Sequence, residues 1–171
     1  VEPTARKDGL IIAREQLAAG LSKAAGAPVT VTVSEDLADA MRATRSGGFD
    51  VFIAPPQVAA SALMRGYELV GCTDRAETFV LVGHPRLASA AAVKGARMFL
   101  PQQDSIYTYM ARGMLNAGGL SFQDLSKVQY ARIPQAGLTA VQMGQFEATV
   151  VRRSDWEEFS VAQPGVAKVL A

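Results

Sequence analysis

The feature that most constrains this chain is the regular exchange of short β-branched or apolar runs with helical segments. Val29-Thr30-Val31-Thr32-Val33 reads as a strand, and Pro28 closes the helix before it. That helix is expected over residues 8–25, where Leu10, Ala13, Leu17, Leu21 and Ala24 recur at helical spacing. Ser34 is the expected N-cap of a second helix, 35–44, with Leu37 and Met41 four apart. Gly47-Gly48 breaks it, and the near-continuous apolar run 49–53 suits a parallel strand buried on both faces. Pro55-Pro56 opens a short helix to residue 64, and 67–70 reads as a further strand.

A second series follows. Strand 78–82 leads to an Ala-rich helical turn, 87–93, a strand, 96–100, and a long helix, 105–117, ended by Gly118-Gly119. Ser121 with Asp124 three residues on resembles a capping box. Strand 128–132, helix 135–143, strand 148–151, helix 154–159 and strand 166–170 complete the pattern. Such alternation specifies an α/β class with mostly parallel sheets and flanking helices. Strands 67–70 and 78–82 follow one another across the polar link Thr73-Asp74-Arg75 with no helix between them. A chain that crosses between two α/β lobes does so in this way.

Composition narrows the function. A chain of 171 residues forms one compact domain or two small lobes sharing a hinge, and 49% hydrophobic against 19% charged residues supplies a sizeable core. With 17 basic and 16 acidic residues, the formal charge of +1 gives no electrostatic case for nucleic acid or an anionic membrane as partner. No apolar run reaches the roughly 18 residues of a spanning helix, so no direct membrane insertion is expected. No basic-then-apolar leader is present, which is expected if an export signal has been removed. Cys72 is the only cysteine, so neither an internal disulfide nor a cysteine-rich zinc site is expected, and His84 is the only imidazole. Hydrolase, NTPase and dinucleotide signatures are absent, and Asp155, Glu157 and Glu158 lie on a surface-like helix. The expectation is therefore a non-catalytic protein with no cofactor and no metal.

At this point the segments are similar to a known family. The run Gly48-Phe49-Asp50-Val51-Phe52-Ile53-Ala54-Pro55 resembles the end of the first lobe in type II periplasmic solute-binding proteins. Residues 78–82 followed by Lys94-Gly95-Ala96-Arg97-Met98 resemble their passage into the second lobe. Asp104-Ser105 opening a helix, and then residues 134–148 from Pro-Gln-Ala-Gly-Leu-Thr to Gly-Gln-Phe-Glu-Ala, resemble the phosphonate/phosphite/phosphate-type branch. The order and spacing of these motifs cover nearly the whole chain. The resemblance implies a two-lobed type II periplasmic-binding-protein-like fold, with a first lobe at 1–72, a second at 77–162, and a hinge near 72–76 and 163–166. Two parts of the family pattern are unmet: the opening strand of the first lobe is represented only by Val1-Glu2-Pro3-Thr4, and the final return to that lobe is missing at Ala171. Either the ends lie outside this chain or the domain is a shortened relative.

In that family an oxyanion is caught by helix N-termini, whose amides and dipole favour negative charge. Three loop-to-helix junctions match: one at Thr4 and Arg6, one at Pro55 and Gln57, and one at Ser105, Tyr107 and Thr108. Glu2, in the first loop, is placed to meet an amine on the ligand, and Gln135 stands where phosphonate binders carry a histidine. Tyr107 occupies a position where relatives often have a small hydroxyl. Ser105 and Asp104 have an alternative role as plain helix caps, and Arg6 an alternative as a solvated surface cation. The implied function is closure on a small anionic or zwitterionic molecule, a phosphonate- or phosphate-like oxyanion being favoured, for uptake through an ABC-type membrane transporter from the periplasm. The alternative is a ligand-sensing domain whose closure is read by a membrane signalling partner.

Overall fold

The computed structural model describes residues 7–34, 36–74, 76–131, 133 and 136–171. The chain divides into two compact units, Val1–Ala40 and Met41–Ala171.

In the first unit, helix α1 spans Lys7–Ala25 and stops at Gly26, whose φ of 66° is a conformation that side-chain-bearing residues avoid. Ser22 Oγ accepts a hydrogen bond from Val29 N at 2.8 Å and turns the chain away from the helix. Helix α2 covers Leu37–Ser46. Its cap is Asp36, not Ser34: Asp36 Oδ1 accepts from Ala38 N at 2.7 Å and from Asp39 N at 3.2 Å, while Ser34 Oγ donates to Asp36 O. A carboxylate so placed also meets the positive end of the helix dipole. Asp36→Ala is expected to cost about 1 kcal/mol, read as reduced helicity near α2 by hydrogen exchange.

The second unit is built on one five-stranded sheet in the order β3-β2-β4-β1-β5. The strands are β1 (Phe79–Gly83), β2 (Arg97–Pro101), β3 (Lys127–Ala131), β4 (Ala148–Arg152) and β5 (Lys168–Val169). Strands β2, β3 and β4 run parallel, while β1 lies antiparallel to both β4 and β5. The sheet is therefore mixed. Its apolar strands are buried on both faces because helices cover both. Helix α4 (Ile106–Ala117) packs Tyr107, Ala111 and Leu115 with Leu81, Met98, Leu100 and Val150 on one side. On the other side, Leu138 and Val141 of α5 (Ala136–Gln142), with Trp156 and Phe159 of α6 (Arg153–Ala162), pack on Val80, Val82 and Val151. Gly137 is essential to that contact, since a Cβ there would fall on the Thr149 side chain of β4. Ser121 and Asp124 form the expected capping box, opening a single 3-10 turn; the two hydrogen bonds from Ser121 hold the Asp124 carboxyl below its usual range.

Three expected strands, 29–33, 49–53 and 67–70, lie outside every ladder among the described residues. The strand signal is local, but a strand exists only where a second segment shares its hydrogen bonds. Several of their side chains remain open to solvent: Val51 is 59% exposed, Ile53 69% and Val70 93%. Between them stands α3 (Pro56–Leu63), with Pro56 at its first position, where a missing N–H costs nothing. Thr44 of α2 and Ser61 of α3 join through their hydroxyls at 2.8 Å.

Candidate functional site

The site grows from the edge of the sheet where the parallel strands end. Met98 is level with Ala148, and Pro101 with Ala131, so β2, β3 and β4 present their carboxyl ends side by side. Loops leaving such an edge are where open α/β sheets bind ligands. Because β1 is antiparallel, it brings its beginning to the same edge, with Phe79 opposite Arg152.

At the end of β2 the chain turns through Gln102 to Asp104 and starts α4. Ser105 is the N-cap in extended backbone conformation, yet its side chain gives the helix no cap. Ser105 Oγ donates instead to Pro101 O at 3.2 Å, and Thr108 Oγ1 donates to Gln102 O at 3.0 Å. Both hydroxyls are buried. They fasten the helix start to the strand end, and Thr108 N donates to Ser105 O at 3.1 Å to close the first turn.

Gln57, in the first turn of α3, reaches this same point. Its Nε2 donates to Asp104 O at 3.1 Å. A backbone carbonyl only accepts, so the amide orientation is fixed and Oε1 must face away. That oxygen is buried and has no hydrogen-bond partner, on a residue only 7% exposed. An orphaned acceptor of this kind costs about 1–3 kcal/mol unless a donor meets it. Pro55 caps α3 through its carbonyl, which accepts from Val58 N and Ala59 N at 3.0 Å, and as an imino residue it offers no donor.

The structure thus brings together Gln57, Ser105 and Thr108. Tyr107 is placed differently. Its ring is buried in the core, edge-on to Phe79 at 5.3 Å, because 107, 111 and 115 form the stripe of α4 that faces the sheet. Glu2, Thr4, Arg6 and Gln135 lie outside the described residues. Beside the α4 start, Tyr130 of β3 has its phenol pushed up chiefly by burial, with Arg112 opposing and Asp104 adding to the rise, so it stays neutral.

Arg152, the last residue of β4, and Arg153, the first of α6, were not among the residues expected from sequence. Arg153 N donates to Thr78 O at 2.8 Å, joining the start of α6 to the start of β1. No cluster of metal-ligating side chains occurs among the described residues, and no described helix is long and apolar enough to cross a membrane.

Residues 1–170 match the family described as the phosphonate ABC transporter periplasmic substrate-binding protein. No curated protein matches. Among solved structures, the fold is similar to PhnD1 from Prochlorococcus marinus, determined with methylphosphonate: TM-score 0.63, 16% identity, covering 97% of this chain and 68% of that one. It is also similar to a binding-protein component of a phosphonate ABC transporter from Pseudomonas aeruginosa: TM-score 0.57, 15% identity, covering 99% of this chain. The present chain spans 62% of the length of that protein. At these identities the likeness is one of fold, and the fold is that of the type II periplasmic binding proteins.

Proposed function

Because this chain belongs to the family of periplasmic substrate-binding proteins of phosphonate ABC transporters, we propose that it binds a small phosphonate-like oxyanion and does no chemistry on it. In this reading residues 1–72 contribute to one lobe and 77–162 form the other, with the hinge near 72–76 and 163–166. Ligand binding favours the closed arrangement, which a membrane transporter recognises at the periplasmic face. Cofactor and metal have no part in it.

The observation that carries this proposal is the unsatisfied Gln57 Oε1 beside the uncapped start of α4. An oxyanion that keeps one proton answers both needs. Its ionised oxygens accept from helix amides, and its P–OH donates to Gln57 Oε1. A sulfonate has the ionised oxygens but no proton to give, so this acceptor favours a monoprotonated phosphonate over a sulfonate of the same size. The principle is the loss incurred when a buried polar group is left unpaired by the wrong ligand.

A thermal-shift screen against phosphate, phosphonates, sulfonates, carboxylates and amino acids is the direct test, since a ligand selective for the folded state raises Tm by mass action. Methylphosphonate is expected to stand above methanesulfonate. Gln57→Leu is expected to weaken methylphosphonate by about tenfold while leaving methanesulfonate unchanged. Ser105→Ala should weaken methylphosphonate more than Arg86→Ala does, because Arg86 sits at the opposite edge of the sheet beside Glu147. Equal affinities for these two variants by calorimetry would remove the α4 start from the site.

A further inference from the structure

Resting on the reading above, we propose that Arg152 is the cationic contact for the bound oxyanion, and that Glu77 is its resting partner, displaced when the anion arrives. On the family resemblance Arg6 is one candidate for the ligand's countercharge, and it lies outside the described residues. The sheet supplies a second candidate directly on the carboxyl edge: Arg152 ends β4, the strand beside β2, whose own end leads into Ser105.

The state of its guanidinium is unusual for a structural arginine. Nε lies 3.3 Å from Glu77 Oε1, near enough for an ion pair. The alignment does not make a hydrogen bond, and this buried N–H has no acceptor. The contrast with Arg97, at the other edge, is informative. Arg97 Nε donates to both Glu147 oxygens, at 3.1 and 3.2 Å, and Nη2 also donates to Gly144 O at 3.1 Å. Arg97 is fully engaged in holding the fold together. Arg152 retains a donor to give, on a fork whose geometry suits a two-oxygen anion.

Space is present as well. A surface cavity of about 510 Å³ is lined by Glu77, Thr78, Arg152, Arg153, Ser154 and Glu157, within the range of small-molecule sites. The Arg152 and Glu77 side chains are 38% and 48% exposed, so their mutual attraction is weak and exchange for a ligand anion costs little. Glu77 and Glu157 are the carboxylates lining the cavity, and they oppose an anion until Arg152 changes partner. Glu77 also stands one residue beyond the 72–76 segment proposed as hinge.

The test is calorimetry on the full chain with methylphosphonate, inorganic phosphate and methanesulfonate as separate titrants. Arg152→Gln is expected to weaken every anion that the parent binds by about tenfold or more, with Arg152→Lys between it and the parent. Glu77→Gln is expected to tighten the same anions several-fold, a gain that misfolding cannot imitate. Arg86→Gln serves as the control and should leave affinity unchanged. If Arg152→Gln binds within about twofold of the parent while Gln57→Leu is impaired, Arg152 has no contact with the anion and the family reading survives without it. If Glu77→Gln weakens binding as Arg152→Gln does, the pair is scaffold and the displacement is refuted. Failure of the parent to bind any of the three would overturn the proposed function, and this inference with it.

Discussion

Leu115→Ala is expected to destabilise the second unit by about 2–5 kcal/mol, the range for deleting a fully buried leucine side chain. Leu115 is 0% exposed and packs in the cluster that joins α4 to Leu81, Met98 and Leu100. Against a typical domain stability of about 5–15 kcal/mol, the loss is a large fraction. Urea unfolding followed by circular dichroism should show the midpoint falling with an unchanged slope. A shift worth less than about 1 kcal/mol would show that α4 is not seated as described, and the Ser105 position would fall with it. Since the proposed site lies at the start of the same helix, anion affinity should decline in this variant through loosening alone, without any change in selectivity.

Glu147→Gln is the second substitution with a large expected effect, about 1–3 kcal/mol. Glu147 Oε2 accepts from Arg97 N at 2.7 Å, its two oxygens take Arg97 Nε, and Arg86 Nη2 donates to Oε1 at 3.0 Å. The carboxyl is held below its ordinary range, first by the Arg97 side-chain hydrogen bond, against an opposing contribution from burial. A carboxylate whose native pKa is depressed contributes stability that is fully present above its unfolded value, near about 4.3. That contribution is lost as pH falls through the lower native value. The parent and Glu147→Gln should therefore differ most near neutral pH and converge in acid. Parallel stability curves down to the acid limb would show that the carboxylate charge plays no part.

How much of this was legible in sequence depends on what each signal measures. The expected strands 78–82, 96–100 and 148–151 fall within one residue of β1, β2 and β4 at each end, because their apolar character comes from burial under helices on both faces. Residues 29–33, 49–53 and 67–70 carry a similar composition, but a ladder partner is a non-local fact, and none lies beside them among the described residues. Strand direction was also hidden: nothing in Phe79-Val80-Leu81-Val82 records that it runs against β4. The places of Gln57 and Ser105 at helix starts were legible. Their meeting through Asp104 O was not, since 47 residues separate them. Tyr107 stands in an i, i+4, i+8 relation to Ala111 and Leu115, a spacing that marks it as part of the packed face of α4.

The segments around Val51, Ile53, Leu69 and Val70 give the molecule a directional stickiness. Water-averse side chains there flank main chain that belongs to no sheet among the described residues, the combination that invites a neighbouring polypeptide to add itself as a strand. For this polypeptide handled alone, crowding in the tube is a hazard, because each molecule offers its neighbours a seam along which they can knit together.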